Sequence, residues 1–137
     1  MADSIEPGAV LRYPYLWRWQ AERGEHAGRK FRPTVVVIRF TSRGRDHLYL
    51  VPLTAQRPGD DRDAYELPVT EVRRLGGDAE RIWAILDEAN IDQAEGSFYL
   101  EPDAQIGRLS PLGLQSLRRH ILEVRRRGRV RDVRRFD

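Results

Sequence analysis

Arg32, Thr54, Glu25 and His26 are side chains whose types and placement suit chemistry on a phosphate ester. Arg32 precedes Pro33, which biases its backbone to an extended form and aims the side chain away from the turn. A guanidinium at a strand entrance can hold a phosphoryl oxygen through paired hydrogen bonds and stabilise charge that grows in a transition state. Thr54 ends an apolar run, and its hydroxyl could donate to the same anion. Glu25 and His26 put a carboxylate beside an imidazole in one charged stretch, and either could act as general base or acid if its pKa moved toward neutrality. Each has an ordinary reading too: a surface ion pair from Arg32 to a loop carboxylate such as Glu25, and a threonine favoured simply by the strand. His47 and His120 read as structural or solvated, and the spacing of the histidines and carboxylates predicts no bound metal ion. No cofactor is expected.

Such groups need a rigid frame. Thr34 to Phe40 and His47 to Leu53 are apolar, β-branched or aromatic runs separated by Ser42-Arg43-Gly44-Arg45-Asp46, the pattern of a hairpin with a polar turn. Residues 1–7 read as a flexible N-terminus and residues 8–137 as a single domain. Gly8 to Tyr13 begins a first strand that Pro14 limits and that could resume through Trp17, while the sign-alternating stretch from Gln20 to Lys30 reads as an exposed loop. Ala64 to Val69 is expected as a short edge strand, Thr70 to Leu75 as one helical turn ending at Gly76-Gly77, and Ile82 to Leu86 as a buried strand followed directly by Asp87 and Glu88. Ser110-Pro111 opens a helix with a capping hydroxyl and an early proline, Leu114, Leu117, Ile121 and Val124 share one face, and Gly128 ends it. The last nine residues either add a strand or stay loose. Several short strands and one long helix, without strand–helix alternation, predict a mainly β fold with α, a small barrel with an appended helix.

Composition narrows the class. A chain of 137 residues with 40% hydrophobic content can bury one modest core. Without cysteine there is no disulfide framework, thiolate metal site or thiol nucleophile, which favours an intracellular compartment. No apolar run approaches the roughly 18 residues of a membrane span, and the first residues do not read as a signal peptide, so a cytoplasmic protein without membrane contact is expected. The net charge of +3 is unevenly placed: nine arginines between Arg118 and Arg135 face only Glu123 and Asp132, a local net of +7. A polyanion or an acidic protein could dock there, although a solvated helix end is the plainer reading. Tyr13, Tyr15, Trp17 and Trp19 stand near Arg12, Arg18 and Arg23, an interleaving that suits base stacking and suits core or interface packing equally well.

In order, Gly8-Ala9-Val10-Leu11, Glu25-His26-Ala27-Gly28, Arg32-Pro33-Thr34-Val35-Val36-Val37, Val51-Pro52-Leu53-Thr54 and Leu86-Asp87-Glu88-Ala89-Asn90-Ile91-Asp92 resemble the successive motifs of the PemK/MazF toxins, mRNA interferases of toxin–antitoxin pairs. The likeness spans most of the chain, and order and spacing carry it more than any one piece. It implies an SH3-like barrel with a C-terminal helix, assembled as a homodimer, with Arg32 and Thr54 as the catalytic pair and Glu25 and Asp87 as further catalytic candidates. His26, Arg29, Lys30, Gln56 and Trp17 complete the expected substrate-binding set. Ala9 stands where the family carries aspartate, extra residues lengthen the stretch between Gly28 and Arg32, and Ile85 stands where some members have arginine.

The activity so implied is metal-independent cleavage of single-stranded RNA, in which a ribose 2′-hydroxyl attacks the adjacent phosphodiester to leave a 2′,3′-cyclic phosphate and a 5′-hydroxyl. Glu25 or His26 would take the proton, Arg32 would stabilise the crowded phosphorane, and Thr54 would orient a phosphate oxygen. A cognate antitoxin is the implied protein partner, an acidic segment of it suiting the basic end. The departures from the family pattern motivate an alternative, a toxin-like module that has lost chemistry and binds RNA or blocks a protein. An oligomerising domain is a third reading.

Overall fold

A computed structural model describes residues 5–136 of the chain. Among them the elements run β1 (Ala9–Tyr13), α1 (Arg18–Glu22), β2 (Arg32–Ser42), β3 (Arg45–Thr54), β4 (Ala64–Glu66), α2 (Val69–Leu75), β5 (Trp83–Ile85), β6 (Glu88–Gln93), β7 (Gln105–Arg108), α3 (Pro111–Arg126) and β8 (Arg131–Arg134). The centre is the β2–β3 hairpin, antiparallel from Thr34 opposite Pro52 to Ser42 opposite Arg45. Arg43 and Gly44 close it with φ of 52° and 75°, both left-handed, the turn whose twist matches the flanking strands.

Hydrogen-bonded neighbours follow the order β4, β5, β3, β2, β1, β7. The outer edge of β3 is divided: His47 to Leu50 pair with β6, while Leu53 and Thr54 pair with β5. β6 carries β8 in parallel, and the remaining ladders are antiparallel. The protein is therefore mainly β with three helices among the described residues, as expected in outline, but the path of paired strands ends at β4 and β7 without closing. The helix α3 is also followed by β8 and is not the last element.

Strand alternation builds two cores. Val10, Val35, Val51 and Leu53 point to one face, where Leu117, Ile121 and Val124 of α3 cover them. Leu11, Val36, Leu48 and Leu50 point to the other, against Ile5, Tyr15, Ala94 and Ala104. The α3 start matches its sequence signal: the Ser110 hydroxyl accepts from the Gly113 N–H at 3.0 Å, and Pro111 takes the first helical position. Buried Glu71 of α2 receives the Ser110 N–H at 2.8 Å and its hydroxyl at 2.7 Å, which fixes α2 to α3.

Three expectations change. The first strand does not resume after Pro14, because the Asn90 side chain binds the Leu16 N–H at 2.9 Å and its carbonyl at 2.8 Å, taking the backbone groups a ladder would use. Part of the expected loop is instead the short α1, whose Gln20 side chain accepts from the Trp17 N–H at 3.0 Å. The start of the chain is not loose at Ile5, which is buried and whose carbonyl accepts from Arg39 at 3.0 Å; residues 1–4 of the expected flexible segment lie outside the described residues. No helix among the described residues is long and apolar enough to cross a membrane.

Candidate functional site

The start of β2 and the end of β3 meet at one end of the hairpin. The β2–β3 ladder begins with Thr34 opposite Pro52, and two residues beyond that pair, on its side of each strand, stand Arg32 and Thr54. Both line a cavity of about 460 Å³, shared with Lys30, Gln56 and Asp78. The Thr54 hydroxyl accepts from the Gln56 N–H at 3.1 Å, a local turn that fixes its position. Arg32 and Thr54 are thus brought together, with Gln56 and Lys30 beside them.

Among the described residues the Arg32 side chain makes no ion pair or hydrogen bond; its guanidinium carbon lies 5.2 Å from the centre of the Trp17 ring. Its ordinary partner, Glu25, is occupied by Arg29, whose Nε and Nη2 donate to the two carboxylate oxygens at 3.0 and 2.7 Å. Those hydrogen bonds lower the pKa of Glu25 and raise that of Arg29. A general base works best with a pKa near the operating pH, so this pairing moves Glu25 away from the role expected of it.

A second hollow of about 300 Å³ adjoins the first, lined by Trp17, Trp19, Arg29, Lys30 and Arg32, so that Lys30 and Arg32 border both. Trp19 is 44% exposed and has the guanidinium carbons of Arg23 and Arg29 at 5.1 and 4.8 Å from its ring centre. The aromatic row foreseen in the sequence is therefore graded: Tyr13 is a core residue, Tyr15 is buried and forms part of the hollow's lining, and Trp17 and Trp19 border the hollow from less buried positions. Gly28 makes this possible. A Cβ there would stand 2.5 Å from the Pro14 carbonyl oxygen and 2.8 Å from that of Tyr15, so only glycine lets the loop lie on that backbone and deliver Arg29 and Lys30.

Asp87 is engaged differently from its expected role. Arg62 donates to it through Nε at 2.9 Å and Nη2 at 2.6 Å, and the Asp63 N–H adds a contact at 3.2 Å. Arg62 also reaches Glu88 at 2.8 Å and lies 5.7 Å from the centre of Trp17. Asp87 therefore anchors an arginine against the tryptophan and does not line the Arg32 cavity. His26 is not brought to Arg32 either: it borders a separate cleft with Asp92, Arg134 and Phe136, and its carbonyl accepts from Arg135 at 3.0 Å.

Sequence reasoning passed over two features. Asp78 is the carboxylate that lines the Arg32–Thr54 cavity, carried there by the loop after Gly76-Gly77. The other is a buried polar network behind the site. Tyr13 and Ser97 donate to Asp92 at 2.7 and 2.6 Å, Tyr15 donates to Glu88 at 3.1 Å, and Arg135 donates to the Pro14 carbonyl at 2.8 Å and to Asn90 at 2.9 Å. Burial raises the pKa of both Glu88 and Asp92. Glu88, Asn90 and Asp92 recur at every second residue, a period that places all three on one face of a strand. The basic end is also less available than its charge suggests. Arg135 is buried, Arg125 donates to the Tyr49 hydroxyl at 2.6 Å, and Arg129 pairs with Asp63 at 3.2 Å.

No protein-family model, no curated protein and no solved structure matches this chain. Fold and site together define a mainly β domain with an arginine–tryptophan cleft at one end of its central hairpin.

Proposed function

We propose that the chain is a toxin of the PemK/MazF kind that cleaves single-stranded RNA by attack of a ribose 2′-hydroxyl on the adjacent phosphodiester. The observation that supports this best is that Arg32, without a carboxylate partner among the described residues, borders the cavity that Thr54 also lines. In this reading the new bond joins the 2′-oxygen to phosphorus, the bond to the 5′-oxygen breaks, and the departing oxygen takes a proton from water. Arg32 meets the charge on the phosphorane and Thr54 holds a non-bridging oxygen. Asp78, in place of Glu25 or His26, accepts the 2′-hydroxyl proton. Trp17 and Trp19 stack bases, and Arg29, Lys30 and Gln56 hold the flanking strand. The reading carries with it a homodimer, an acidic antitoxin segment as neutralising partner, and the view of this open sheet as a variant of the SH3-like barrel.

Incubation of the purified protein with single-stranded RNA in excess EDTA tests the proposal. Fragments with 5′-hydroxyl ends, absent with Arg32→Ala, are expected; intact RNA with the wild-type protein overturns it. The pairing of Glu25 with Arg29 favours one second reading, an RNA-binding module without chemistry, for which tight binding without fragments is the signature.

A further inference from the structure

At the opposite end of the β2–β3 hairpin, roughly 30 Å away by strand rise, lies a cleft of about 540 Å³. Arg43, Arg45 and Arg134 border it, and Phe40, His47 and Phe136 form an aromatic wall. The rings adjoin in sequence: Phe40 and His47 stack with centres 5.4 Å apart at 23°, and Phe136 is tilted against His47 at 4.9 Å and 38°, with the Arg134 guanidinium carbon 4.7 Å from its ring centre. His47 is 5% exposed, and its Nδ1 is buried with no hydrogen-bond partner. Buried polar atoms nearly always find partners, so the His47 ring carries an unspent hydrogen-bonding group within this wall.

The charges point the same way. Arg39, Arg62, Arg81 and Arg125 each pair with a carboxylate, whereas among the described residues Arg43, Arg45 and Arg134 pair with none. Of the neighbouring acids, Asp46 is taken by Arg39 at 2.9 Å and Thr41 at 2.8 Å, which among the described residues leaves Glu95 in the adjoining hollow as the opposing charge. Three guanidiniums in one cleft call for an anion, and an aromatic wall calls for a flat ring system. A simple anion would use only the first and a nucleobase only the second.

We propose that this cleft binds a nucleotide, its phosphate among Arg43, Arg45 and Arg134 and its base against the Phe40–His47–Phe136 wall. The site is separate from the Arg32 cavity and does not depend on cleavage there. A free mononucleotide and one unit of a single-stranded RNA share the required chemistry.

The full chain is titrated with AMP, adenosine and inorganic phosphate, with calorimetry for affinity and NMR of the His47 ring for location. AMP is expected to bind about tenfold or more tighter than either fragment and to shift the His47 resonances. Replacing two exposed arginines together, Arg45→Ala with Arg134→Ala, should weaken by about tenfold or more the AMP binding that shifts the His47 resonances, while Arg81→Ala, at an arginine paired with Glu66 outside both clefts, leaves it unchanged. Phosphate binding as tightly as AMP, or AMP binding untouched by the double variant, overturns the proposal. Failure of RNA cleavage leaves these readouts intact, so the two readings fail separately. A 2′-O-methyl oligoribonucleotide that displaces AMP assigns the cleft to a strand, and one that does not assigns it to the free nucleotide.

Discussion

Arg135 and Arg32 carry the same guanidinium and meet opposite fates. Arg135 is 7% exposed and donates to Asn90, to the Tyr13 hydroxyl and to the carbonyls of Pro14 and His26, with its guanidinium carbon 3.9 Å from the centre of the Tyr99 ring. Arg32 is half-buried, rests on Trp17 and keeps its donors unassigned among the described residues. Both lie over aromatic rings, but a buried guanidinium needs acceptors around it, whereas a half-buried one stays near water with its hydrogen-bonding edge available to a ligand. The difference lies in what the fold brings near each charge. Counting arginines along the chain does not reveal it.

The contrast can be broken most easily at Arg135. Arg135→Ala takes the donor from the carbonyls of Pro14 and His26 and one bond each from Asn90 and Tyr13, and should lower the unfolding free energy by about 3–5 kcal/mol in urea titrations. Arg32→Ala should do the reverse, leaving stability within about 0.5 kcal/mol of wild type while single-turnover RNA cleavage falls by about 10²–10³. Similar stability losses in the two variants would erase the distinction. Thr54→Val, which removes the hydroxyl and keeps the volume, should slow cleavage by about tenfold.

The smallest effect concerns the network beside Arg135. Burial raises the pKa of Glu88, so the folded protein holds that proton more tightly than the unfolded chain does. This group therefore adds stability as pH falls from neutrality through its folded pKa toward the ordinary value of about 4.3. Glu88→Gln should flatten that rise, read as the difference in urea midpoint between about pH 7 and pH 5. Asp92 is shifted in the same direction by its own burial, so the slope should shrink and not vanish. High salt is the right condition, because Glu25, Asp46 and Glu66, all lowered by hydrogen bonds, act in the opposite sense from exposed positions that salt screens. A wild-type slope that survives Glu88→Gln unchanged would remove Glu88 from the account.

What the chain made legible was local. The hairpin, the Ser110 cap, the apolar face of α3 and the end of α2 at Gly76 each follow from neighbouring residues, and the structure has them. β6 was hidden because its inward row is polar: Glu88, Asn90 and Asp92 are buried, and their partners lie more than seventy residues away in the case of Tyr13, Tyr15 and Leu16. β7 carries Gly107 and largely exposed side chains, a weak strand signal. At the site, the Arg-Pro and strand-end threonine signals led to two residues that do share a cavity. Glu25, Asp87 and His26 were harder to place, since a carboxylate's nearest arginine, or a loop residue's facing cleft, is decided by tertiary geometry. The same holds for Asp78, which stands in an unremarkable loop until α2 carries it to the cavity.

Arg43 sits at φ 52°, in a tight reversal where asparagine or glycine would rest with less crowding of Cβ against the backbone. The side chain it carries is one of the three cations at that extremity of the ribbon. Arg43→Gly should relax the reversal by on the order of 1 kcal/mol while discarding a positive charge from the tip. A chain optimised only for folding would read Asn-Gly there; this one holds a cation out at the hairpin's apex at the cost of local ease.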